Sequence, residues 1–363
     1  MKSRAAICTG PNRPLEIDEI EVAAPGGGEV LVEIKATGLC HTDYHMIDGS
    51  MTPYPYPVIL GHEGAGVVVE VGVGVTSVKP GDHVLPLSVP ECRRCVNCLS
   101  GKTNLCLEFF KLFDSASPFS WKGQPVAQFV GCGTFSNYTT VKEIAVAKIR
   151  DDAPFKTACY IACGVITGVG AATYSAKVEP GSRVIVFGLG GVGLNVLQGA
   201  KMASARQIVG VDINPGREAV ARQFGATDFV NPTTVAGDLV AYLTQLTEGG
   251  ADYTFECVGN TALMRQAFDT ARLGSGTAMV IGGAPTGQEL SVSPMDLLMG
   301  RTLKGVMLGS VKARTDVPKF VDLYMQGQIR VDELITDYLP LERINEGFAM
   351  MKTGRTIRTV VVF

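Results

Sequence analysis

The chain has 363 residues, of which 46% are hydrophobic and 18% are charged, and its formal net charge is −3. This length predicts two domains, and the composition excludes a disordered protein because it supplies enough apolar side chains for more than one core. The small net charge, without a block of like charges, argues against a nucleic-acid or membrane partner. We find neither an apolar span long enough for a bilayer nor a signal-peptide core, and we therefore expect a cytoplasmic protein.

Residues 1 to about 160 carry the pattern of β-strands separated by turns. Residues 29–35 alternate in polarity as a half-buried strand does, 64–72 are a second strand candidate, and 80–86 begin with a turn that enters a third strand. Short strands separated by turn residues are typical of all-β domains. We therefore predict an irregular, barrel-like β domain in this part of the chain.

Four cysteines form a compact motif near the middle of that domain, with two, two and seven residues between them: Cys92, Cys95, Cys98 and Cys106. Four thiolates on a short lobe make a closed tetrahedral site, which is typical of structural zinc. An iron–sulfur cluster is one alternative, but its cysteine run usually closes after three residues rather than seven. Unligated thiols are the other alternative. A closed site leaves no open ligand position, so we assign the lobe at about 90–107 no catalysis.

From about residue 183 the pattern changes to strands that alternate with helices. We predict strands at 183–187, 207–212, 254–258 and 277–281, with a helix running to 201 after the first and another over 215–224 after the second. This alternation predicts a doubly wound sheet of parallel strands. The end of the chain returns to mixed character and closes with a strand at 359–363, and we expect this tail to return to the first domain.

A glycine-rich loop, Gly188-Leu189-Gly190-Gly191-Val192-Gly193, connects the first of these strands to its helix. In a dinucleotide-binding loop, Gly188 would permit the tight turn, Gly190 the approach of the pyrophosphate, and Gly193 the packing of helix on sheet. Asp212, at the end of the next strand, would accept hydrogen bonds from the adenosine ribose and repel a 2′-phosphate. The loop therefore predicts NAD rather than NADP, and a glycine-rich packing turn is the alternative.

Cys40, His62 and Cys163 are dispersed along the chain, and their spacing alone does not join them into one site. A single buried cysteine is more often a small hydrophobic residue than a ligand. A single histidine is likewise more often structural or exposed.

Taken together, these motifs resemble those of the zinc-dependent, medium-chain alcohol dehydrogenases over essentially the whole chain, most closely the class I and class III branch. The matching segments, in the family's order, are 38–43, 61–66, the four-cysteine lobe, 131–136, 163–168 and 354–359. The resemblance implies a GroES-like, irregular β-rich catalytic domain (1–164 and 308–363) and a Rossmann NAD-binding domain (165–307).

The resemblance also implies a catalytic zinc ion in addition to the structural one, hence two per chain. Cys40, His62 and Cys163 match the family's three catalytic zinc ligands, which leave the fourth position open for water or alcohol. Asp43 and Glu63 match positions beside the ligands, where supporting or reserve-ligand roles are usual.

The remaining matched positions concern the alcohol, its proton and the cofactor. Thr42 matches the hydroxyl that contacts the zinc-bound alcohol, and His45 matches the end of the proton relay, although a solvated loop histidine is the alternative. The matched cofactor-binding positions are His41, Thr167, Gly188, Gly190, Val192, Gly193, Asp212, Arg217 and Arg358. For His41 an ordinary turn residue is the alternative, and for Arg217 a surface helix charge.

Two positions bear on the substrate. Ser88 stands where the family commonly has a large aromatic residue, which predicts a widened pocket unless Met51 or Phe129 closes the gap, and Phe129 matches another pocket wall. We therefore expect an NAD-dependent zinc oxidoreductase that interconverts a primary, bulky, aromatic or longer-chain alcohol and its aldehyde.

Class III enzymes bind the carboxylate of a glutathione adduct through an arginine in the segment that corresponds to 107–130. This chain has only Lys111 and Lys122 there. A thiol-adduct formaldehyde dehydrogenase of class III type is therefore the alternative expectation, and an inactive, zinc-stabilised nucleotide-binding protein is the non-enzymatic one. The family also implies a homodimer or homotetramer joined through sheet edges, for which we expect 303–309 to be the edge strand.

Overall fold

The computed structural model describes residues 1–51, 54–112 and 116–363. The chain separates into two compact units, one formed by Met1–Cys163 with Val311–Phe363 and the other by Gly164–Ser310. The domain boundaries expected from the sequence, 1–164 with 308–363 and 165–307, stay a prediction about how the protein is organised.

The strands are numbered in chain order. They are β1 (Lys2–Cys8), β2 (Glu16–Val22), β3 (Glu29–Gly38), β4 (Val58–Ile59), β5 (Glu63–Val71), β6 (His83–Pro86), β7 (Phe119–Trp121), β8 (Gln124–Gln128), β9 (Tyr138–Lys142), β10 (Val146–Lys148), β11 (Arg183–Phe187), β12 (Gln207–Val211), β13 (Asp228–Val230), β14 (Tyr253–Glu256), β15 (Thr277–Val280), β16 (Thr302–Gly305), β17 (Ile335–Leu339) and β18 (Arg358–Val362).

The α-helices are numbered in the same way. They are α1 (His41–Ile47), α2 (Val96–Leu99), α3 (Glu108–Lys111), α4 (Phe155–Tyr160), α5 (Ile166–Gly170), α6 (Gly191–Met202), α7 (Glu218–Gln223), α8 (Leu239–Leu246), α9 (Thr261–Thr270), α10 (Pro294–Leu298), α11 (Ala313–Met325) and α12 (Ile344–Lys352).

The first unit is built from two sheets. One is a closed barrel in the order β1-β2-β7-β8-β4, and the other runs β10-β6-β5-β3-β18-β17, with β9 also paired to β3. Alternate side chains of β3 pack against β5, β6 and β9 in a core that includes Val30, Val32 and Ile34, as the period-2 pattern predicts. The C-terminal strand β18 pairs with β3, so the tail returns to this unit as expected.

The register of β3 on β5 positions the functional residues of this unit. Gly38, at the end of β3, pairs with Glu63 at the start of β5. Because the strands are antiparallel, residues just after Gly38 and just before Glu63 lie at the same end of the sheet. This register places Cys40 and His62, which are 22 positions apart in the sequence, next to each other.

The second unit is a sheet of parallel strands in the order β13-β12-β11-β14-β15-β16. The central strand β11 is buried along its whole length, as a strand covered on both faces must be. Helices connect the strands, and the carboxyl ends of β11, β12 and β14 therefore meet at one edge. The predicted fold class, an irregular β-barrel domain with a doubly wound Rossmann domain, is confirmed.

Two predicted strands end two or more residues earlier than expected. The strand predicted at 254–258 ends at Glu256 because its carboxylate accepts hydrogen bonds from the N–H groups of Val258 and Gly259, which form a turn. The strand predicted at 303–309 ends at Gly305, and Leu308–Ser310 form a 3₁₀ turn. Gly309 has a φ of 61° and a ψ of 14°, which is a left-handed and not an extended backbone conformation.

Contrary to the expectation from the sequence, one continuous helical segment, Phe155–Ala176, is long and apolar enough to cross a membrane by length and composition. However, 83% of its most apolar stretch is buried inside the protein. Burial of this kind is characteristic of the core helix of a globular fold. The segment contains two π-helical stretches, Ile161–Val165 and Ala171–Ala176. Cys163 lies in the first of them, and π-helical turns occur frequently at functional sites.

Candidate active site

Four metal-ligating side chains converge in the first unit. The ligand atoms of Cys40, His62, Glu63 and Cys163 all lie within 4.8 Å of one another. Cys40 immediately precedes α1, His62 immediately precedes β5, Glu63 begins β5, and Cys163 comes from the π-helical turn. The three dispersed residues that spacing alone did not join are therefore neighbours in space, and Glu63 lies with them.

Asp43 orients the His62 ring. Asp43 Oδ1 lies 3.1 Å from His62 Nδ1 and also accepts a hydrogen bond from the Gly61 N–H at 2.9 Å. Its other oxygen accepts from the Cys40 N–H at 3.2 Å. An ionised carboxylate can only accept, so Nδ1 carries a proton and Nε2 is the nitrogen left for a metal.

The Glu63 carboxylate is fully buried, and neither of its oxygens has a hydrogen-bond partner among the described residues. Burial raises the pKa of Glu63 to about 8, although the Arg358 and His62 charges act to lower it. A side chain at Gly38 would lie 2.3 Å from Glu63 Oε2, so glycine at that position makes room for the carboxylate. A buried carboxylate without a partner is costly unless a cation lies nearby.

The donor set therefore fits a bound divalent metal. Two thiols, one imidazole and a carboxylate are gathered in a buried site, and the hydrogen bond from Cys163 lowers the pKa of Cys40, which favours the thiolate. Sulfur and nitrogen ligands of this kind are those preferred by zinc. Three of these ligands would leave one tetrahedral position open.

The four-cysteine lobe also has the geometry of a metal site. The sulfur atoms of Cys92, Cys95, Cys98 and Cys106 lie within 4.8 Å of one another, with Cys92 Sγ 3.8 Å from Cys98 Sγ and Cys95 Sγ 4.0 Å from Cys106 Sγ. Tetrahedral zinc with ligands at about 2.3 Å separates its sulfurs by about 3.8 Å. All four thiols are free of disulfides.

Main-chain N–H groups support the sulfurs of this lobe. The Cys95 N–H donates to Cys92 Sγ and the Cys98 N–H to Cys95 Sγ. Hydrogen bonds from the main-chain N–H groups of Leu107 and Cys98 lower the pKa of Cys95 to about 6. These donors favour thiolates, which are the form that binds metal.

The glycine loop of the second unit has the expected close approaches. Gly188 has a φ of 85°, and a Cβ at Gly193 would lie 1.8 Å from the Gly188 carbonyl oxygen, so helix α6 packs against the loop only with glycine at position 193. A Cβ at Gly190 would meet no atom of the described residues within 4 Å. The loop surface is thus open at Gly190, where a pyrophosphate is expected to approach the backbone, and the residues fit a dinucleotide.

Asp212 follows β12 at the same edge of the sheet. Its two oxygens accept hydrogen bonds from the Leu189 N–H at 2.7 Å and the Asn214 N–H at 2.8 Å, which join it to the glycine loop. Arg217 lies close enough for the Asp212 charge to favour its protonated form, although burial lowers the pKa of Arg217 overall. Carboxylate oxygens can accept more than one hydrogen bond each, so Asp212 retains capacity for a ligand hydroxyl.

The two other cofactor positions predicted for this unit lie where α5 packs on α6. Thr167 is largely buried in α5, and Val192 is partly exposed in the first turn of α6. Glycine at position 168 permits this close packing, because a Cβ there would lie 2.4 Å from the Val192 carbonyl oxygen.

Three further predicted residues lie in α1, directly after Cys40. Thr42 Oγ1 is 3.7 Å from Cys40 Sγ, and His45 Nδ1 is 2.7 Å from Ser50 Oγ. His41 lies at the start of α1 with part of its surface exposed, and desolvation of its ring by neighbouring atoms together with the Arg358 charge lowers its pKa.

Arg358 is buried, whereas a side chain that contacts a cofactor is expected to be exposed when the cofactor is not bound. It donates to the Leu39 carbonyl oxygen at 2.9 Å and lies 4.5 Å from the centre of the Tyr160 ring. Its charge acts on the Glu63 carboxylate. Its contact with a pyrophosphate stays a prediction.

Of the two predicted substrate-pocket residues, the structure places Phe129 beside the metal-ligand cluster and shows only that Ser88 is buried. The Phe129 ring packs edge-on against His62, with ring centres 5.9 Å apart, so it borders the metal-ligand cluster. Ser88 is buried directly after β6, and its place in a pocket stays a prediction. Tyr54, which the sequence analysis did not select, packs edge-on against Phe129 at 5.4 Å. No motif marks it, and only the folded chain brings it to Phe129.

Comparisons with known proteins agree with this geometry. Residues 26–151 match the family model described as the alcohol dehydrogenase GroES-like domain, and 191–326 match that of the zinc-binding dehydrogenases. An alcohol dehydrogenase class-3 from Cereibacter sphaeroides is 53% identical over the full length of both chains. The chain belongs to the zinc-dependent medium-chain alcohol dehydrogenases.

Two further relatives place the chain within that family. An S-(hydroxymethyl)glutathione dehydrogenase from Paracoccus denitrificans is 50% identical over all of both chains. The crystal structure of benzyl alcohol dehydrogenase from Acinetobacter calcoaceticus has a TM-score of 0.92 and 32% identity, and the match covers 100% of this chain and 99% of that one. The predicted family and its class III branch are confirmed, and the chain is an NAD-dependent zinc oxidoreductase that acts on alcohols or aldehydes.

Proposed function

We propose that this dehydrogenase oxidises the S-hydroxymethyl adduct of formaldehyde with a small thiol, with zinc held by Cys40, His62 and Cys163. The observation that carries the reaction centre is the convergence of these ligand atoms within 4.8 Å, with Glu63 beside them and His62 oriented by Asp43. We infer that Cys92, Cys95, Cys98 and Cys106 hold the structural zinc ion.

The names of the relatives support this substrate class over the bulky alcohol that the sequence analysis put first. The full-length relatives at 53% and 50% identity are named for class-3 and S-(hydroxymethyl)glutathione activity. The thiol itself need not be glutathione, because Lys111 and Lys122 are the only cations of the described part of segment 107–130. Lys111 is engaged by Glu108 at 3.0 Å, and Lys122 lies over the Trp121 ring.

When bound, zinc supplies a Lewis acid that lowers the pKa of the alcohol, and NAD supplies the hydride acceptor. In our proposal the Thr42 hydroxyl, close to Cys40, would accept a hydrogen bond from the alcohol O–H, orient its oxygen, and pass its own proton onward as the alcohol loses one. His45, one helical turn further along α1 and hydrogen-bonded to Ser50, carries the proton toward solvent. Glu63 is a reserve ligand.

A benzylic alcohol is the second candidate substrate. The Phe129 ring, which borders His62, provides an aromatic surface beside the reaction centre. Aromatic pairs add stabilisation beyond the area that they bury, by about 0.5–1.5 kcal/mol. The structural match to a benzyl alcohol dehydrogenase favours the same class.

The substrate proposal predicts a steep order of activity. With NAD, we expect kcat/KM for formaldehyde premixed with glutathione, or with another small thiol, to exceed that for ethanol by at least about a hundredfold, because the thiol part supplies binding energy that ethanol lacks. Steady-state NADH formation, with formaldehyde alone and thiol alone as controls, measures this order. Higher kcat/KM for benzyl alcohol than for every adduct would replace the first candidate by the second.

We propose that the second unit binds NAD through Gly188, Gly190, Val192, Gly193, Thr167, Asp212 and Arg217. We also propose His41 and Arg358 as cofactor-binding residues. Discrimination against NADP rests on the Asp212 charge, which would repel a 2′-phosphate.

Replacing Asp212 by glycine is therefore expected to raise the ratio of kcat/KM for NADP to that for NAD by at least about tenfold, which is about 1.4 kcal/mol. The matched control is Asp228→Asn, since Asp228 begins the neighbouring strand and accepts from Gln207 and Thr227. Steady-state kinetics with both cofactors measure the ratio. If the wild-type protein already uses NADP as efficiently as NAD, Asp212 has no such role.

We further propose that the protein is cytoplasmic and forms a homodimer or homotetramer through the free edge of β16. Thr302, Lys304 and Gly305 are exposed along this strand, and Met295 and Leu298 are exposed nearby in sequence. Unpaired strand edges with apolar neighbours favour association with a second copy.

A further inference from the structure

The turn that carries Phe129 has an unfavourable backbone conformation. Phe129–Gly131 form a 3₁₀ turn in which Val130 has a φ of 44° and a ψ of 33°. A β-branched residue rarely adopts this left-handed conformation, and such residues persist only where their surroundings hold them. The contacts around the turn must therefore fix Val130.

The Tyr54 hydroxyl makes those contacts. It donates to the Gln128 carbonyl oxygen at 3.1 Å and accepts from the Val130 N–H at 3.3 Å, so it connects the two peptide groups on either side of Phe129. Burial raises the pKa of Tyr54 to about 12, which keeps the hydroxyl protonated as a donor. On the other side of the turn, the Gln128 side-chain amide donates to the Cys132 and Thr140 carbonyl oxygens.

The Tyr54 ring also packs directly against the Phe129 ring, which borders the reaction centre. It packs edge-on against Phe129 with ring centres 5.4 Å apart, and Phe129 packs edge-on against His62 at 5.9 Å. Phe129 is 1% exposed, so its position depends on the residues that enclose it. Tyr54 thus acts on the Phe129 ring through both the main chain and direct packing.

We propose that Tyr54 is a positioning residue for substrate selectivity, because it holds the Phe129 ring at the distance from His62 that suits a substituent larger than ethyl. This inference rests on the proposed reaction centre at Cys40, His62 and Cys163. It does not depend on whether a thiol adduct or a benzylic alcohol is preferred. Without the hydroxyl, Val130 is free to relax and the ring loses its fixed position.

The test compares Tyr54→Phe with Tyr56→Phe. Tyr56 is a matched control because its hydroxyl also makes a main-chain hydrogen bond, but to the Met46 carbonyl oxygen in α1 at 2.7 Å and not to a peptide group beside Phe129. In Tyr54→Phe we expect kcat/KM for benzyl alcohol and for the glutathione–formaldehyde adduct to fall about tenfold, mainly through KM, while kcat/KM for ethanol changes less than about twofold. In Tyr56→Phe the kcat/KM values for the three substrates are expected to keep their wild-type ratios.

Binding without turnover provides an independent readout. With NADH present, the ratio of the dissociation constants of benzamide and acetamide, measured by calorimetry, is expected to move toward acetamide in Tyr54→Phe only. Unchanged ratios in Tyr54→Phe, or equal changes in both variants, would overturn the positioning role. A wild-type protein that oxidises none of the alcohols but shows the amide shift would instead reject the proposed substrates and retain the role of Tyr54.

Discussion

Cys40→Ser is expected to abolish turnover in a folded protein, whereas Cys92→Ser is expected to destabilise the fold. Cys40 belongs to the cluster with an open ligand position, and a serine hydroxyl is a poor substitute for a thiolate zinc ligand. Loss of the metal's contribution of several kcal/mol to the transition state corresponds to a fall in kcat of at least about a thousandfold.

Cys92 belongs to the closed four-sulfur cluster, where metal binding contributes directly to folding free energy. Its loss is expected to cost several kcal/mol and to lower the melting temperature by roughly 10 °C. The lobe is also connected to the rest of the first unit, because the buried Glu91 carboxylate accepts hydrogen bonds from the Thr315 N–H and hydroxyl at the start of α11.

Zinc content by mass spectrometry, melting temperature and kcat together separate the two roles. Cys8→Ser is the control, since Cys8 is a fully buried thiol of the same unit that belongs to neither metal cluster. Each ligand variant is expected to lose one of two zinc ions and the control none. Equal melting temperatures in both ligand variants, with activity intact in Cys40→Ser, would contradict the assignment.

The sequence predicts the four-cysteine lobe more directly than the other cluster for a physical reason. Its ligands lie within 15 consecutive residues, so local spacing alone brings the sulfurs together. Cys40, His62 and Cys163 meet only through the register of β3 on β5 and a π-helical turn, neither of which is readable from local pattern. For these three, resemblance to a family supplied what spacing did not.

Other features follow from contacts that no sequence pattern announces. A left-handed valine at position 130 contradicts its own conformational preference, and the tyrosine that holds it lies 76 residues earlier. Likewise, β14 reads as continuing to 258 because Cys257 and Val258 are apolar. It ends because Glu256 turns its carboxylate back to the following N–H groups. A long-range hydrogen bond decides the first case and a local hydrogen bond between side chain and backbone decides the second, both against local propensity.

The last prediction concerns Asp43, whose carboxylate accepts three hydrogen bonds at the metal-ligand cluster. In Asp43→Asn one oxygen becomes an NH₂ group, which must face either the Cys40 N–H or the pair formed by the Gly61 N–H and His62 Nδ1. In the first orientation the new NH₂ group and the Cys40 N–H, which are both donors, face each other. The second favours the His62 tautomer that is protonated on Nε2, and that tautomer cannot bind a metal. Either outcome weakens the site while the ligands themselves remain.

We expect Asp43→Asn to lower zinc affinity at this cluster and kcat by about 10- to 100-fold each, which is the range for residues that orient a metal-bound histidine. Competition with a chromophoric chelator measures the affinity, and the zinc of the four-cysteine lobe serves as an internal reference. Asp82→Asn is the matched control: Asp82 is also buried and pairs with Lys148 at 2.7 Å, so it tests loss of a buried charge that does not contact His62. The assignment would be contradicted by a comparable loss of zinc in Asp82→Asn, or by wild-type zinc affinity and kcat in Asp43→Asn. Either result would show that His62 is oriented by the packing of its ring against Phe129.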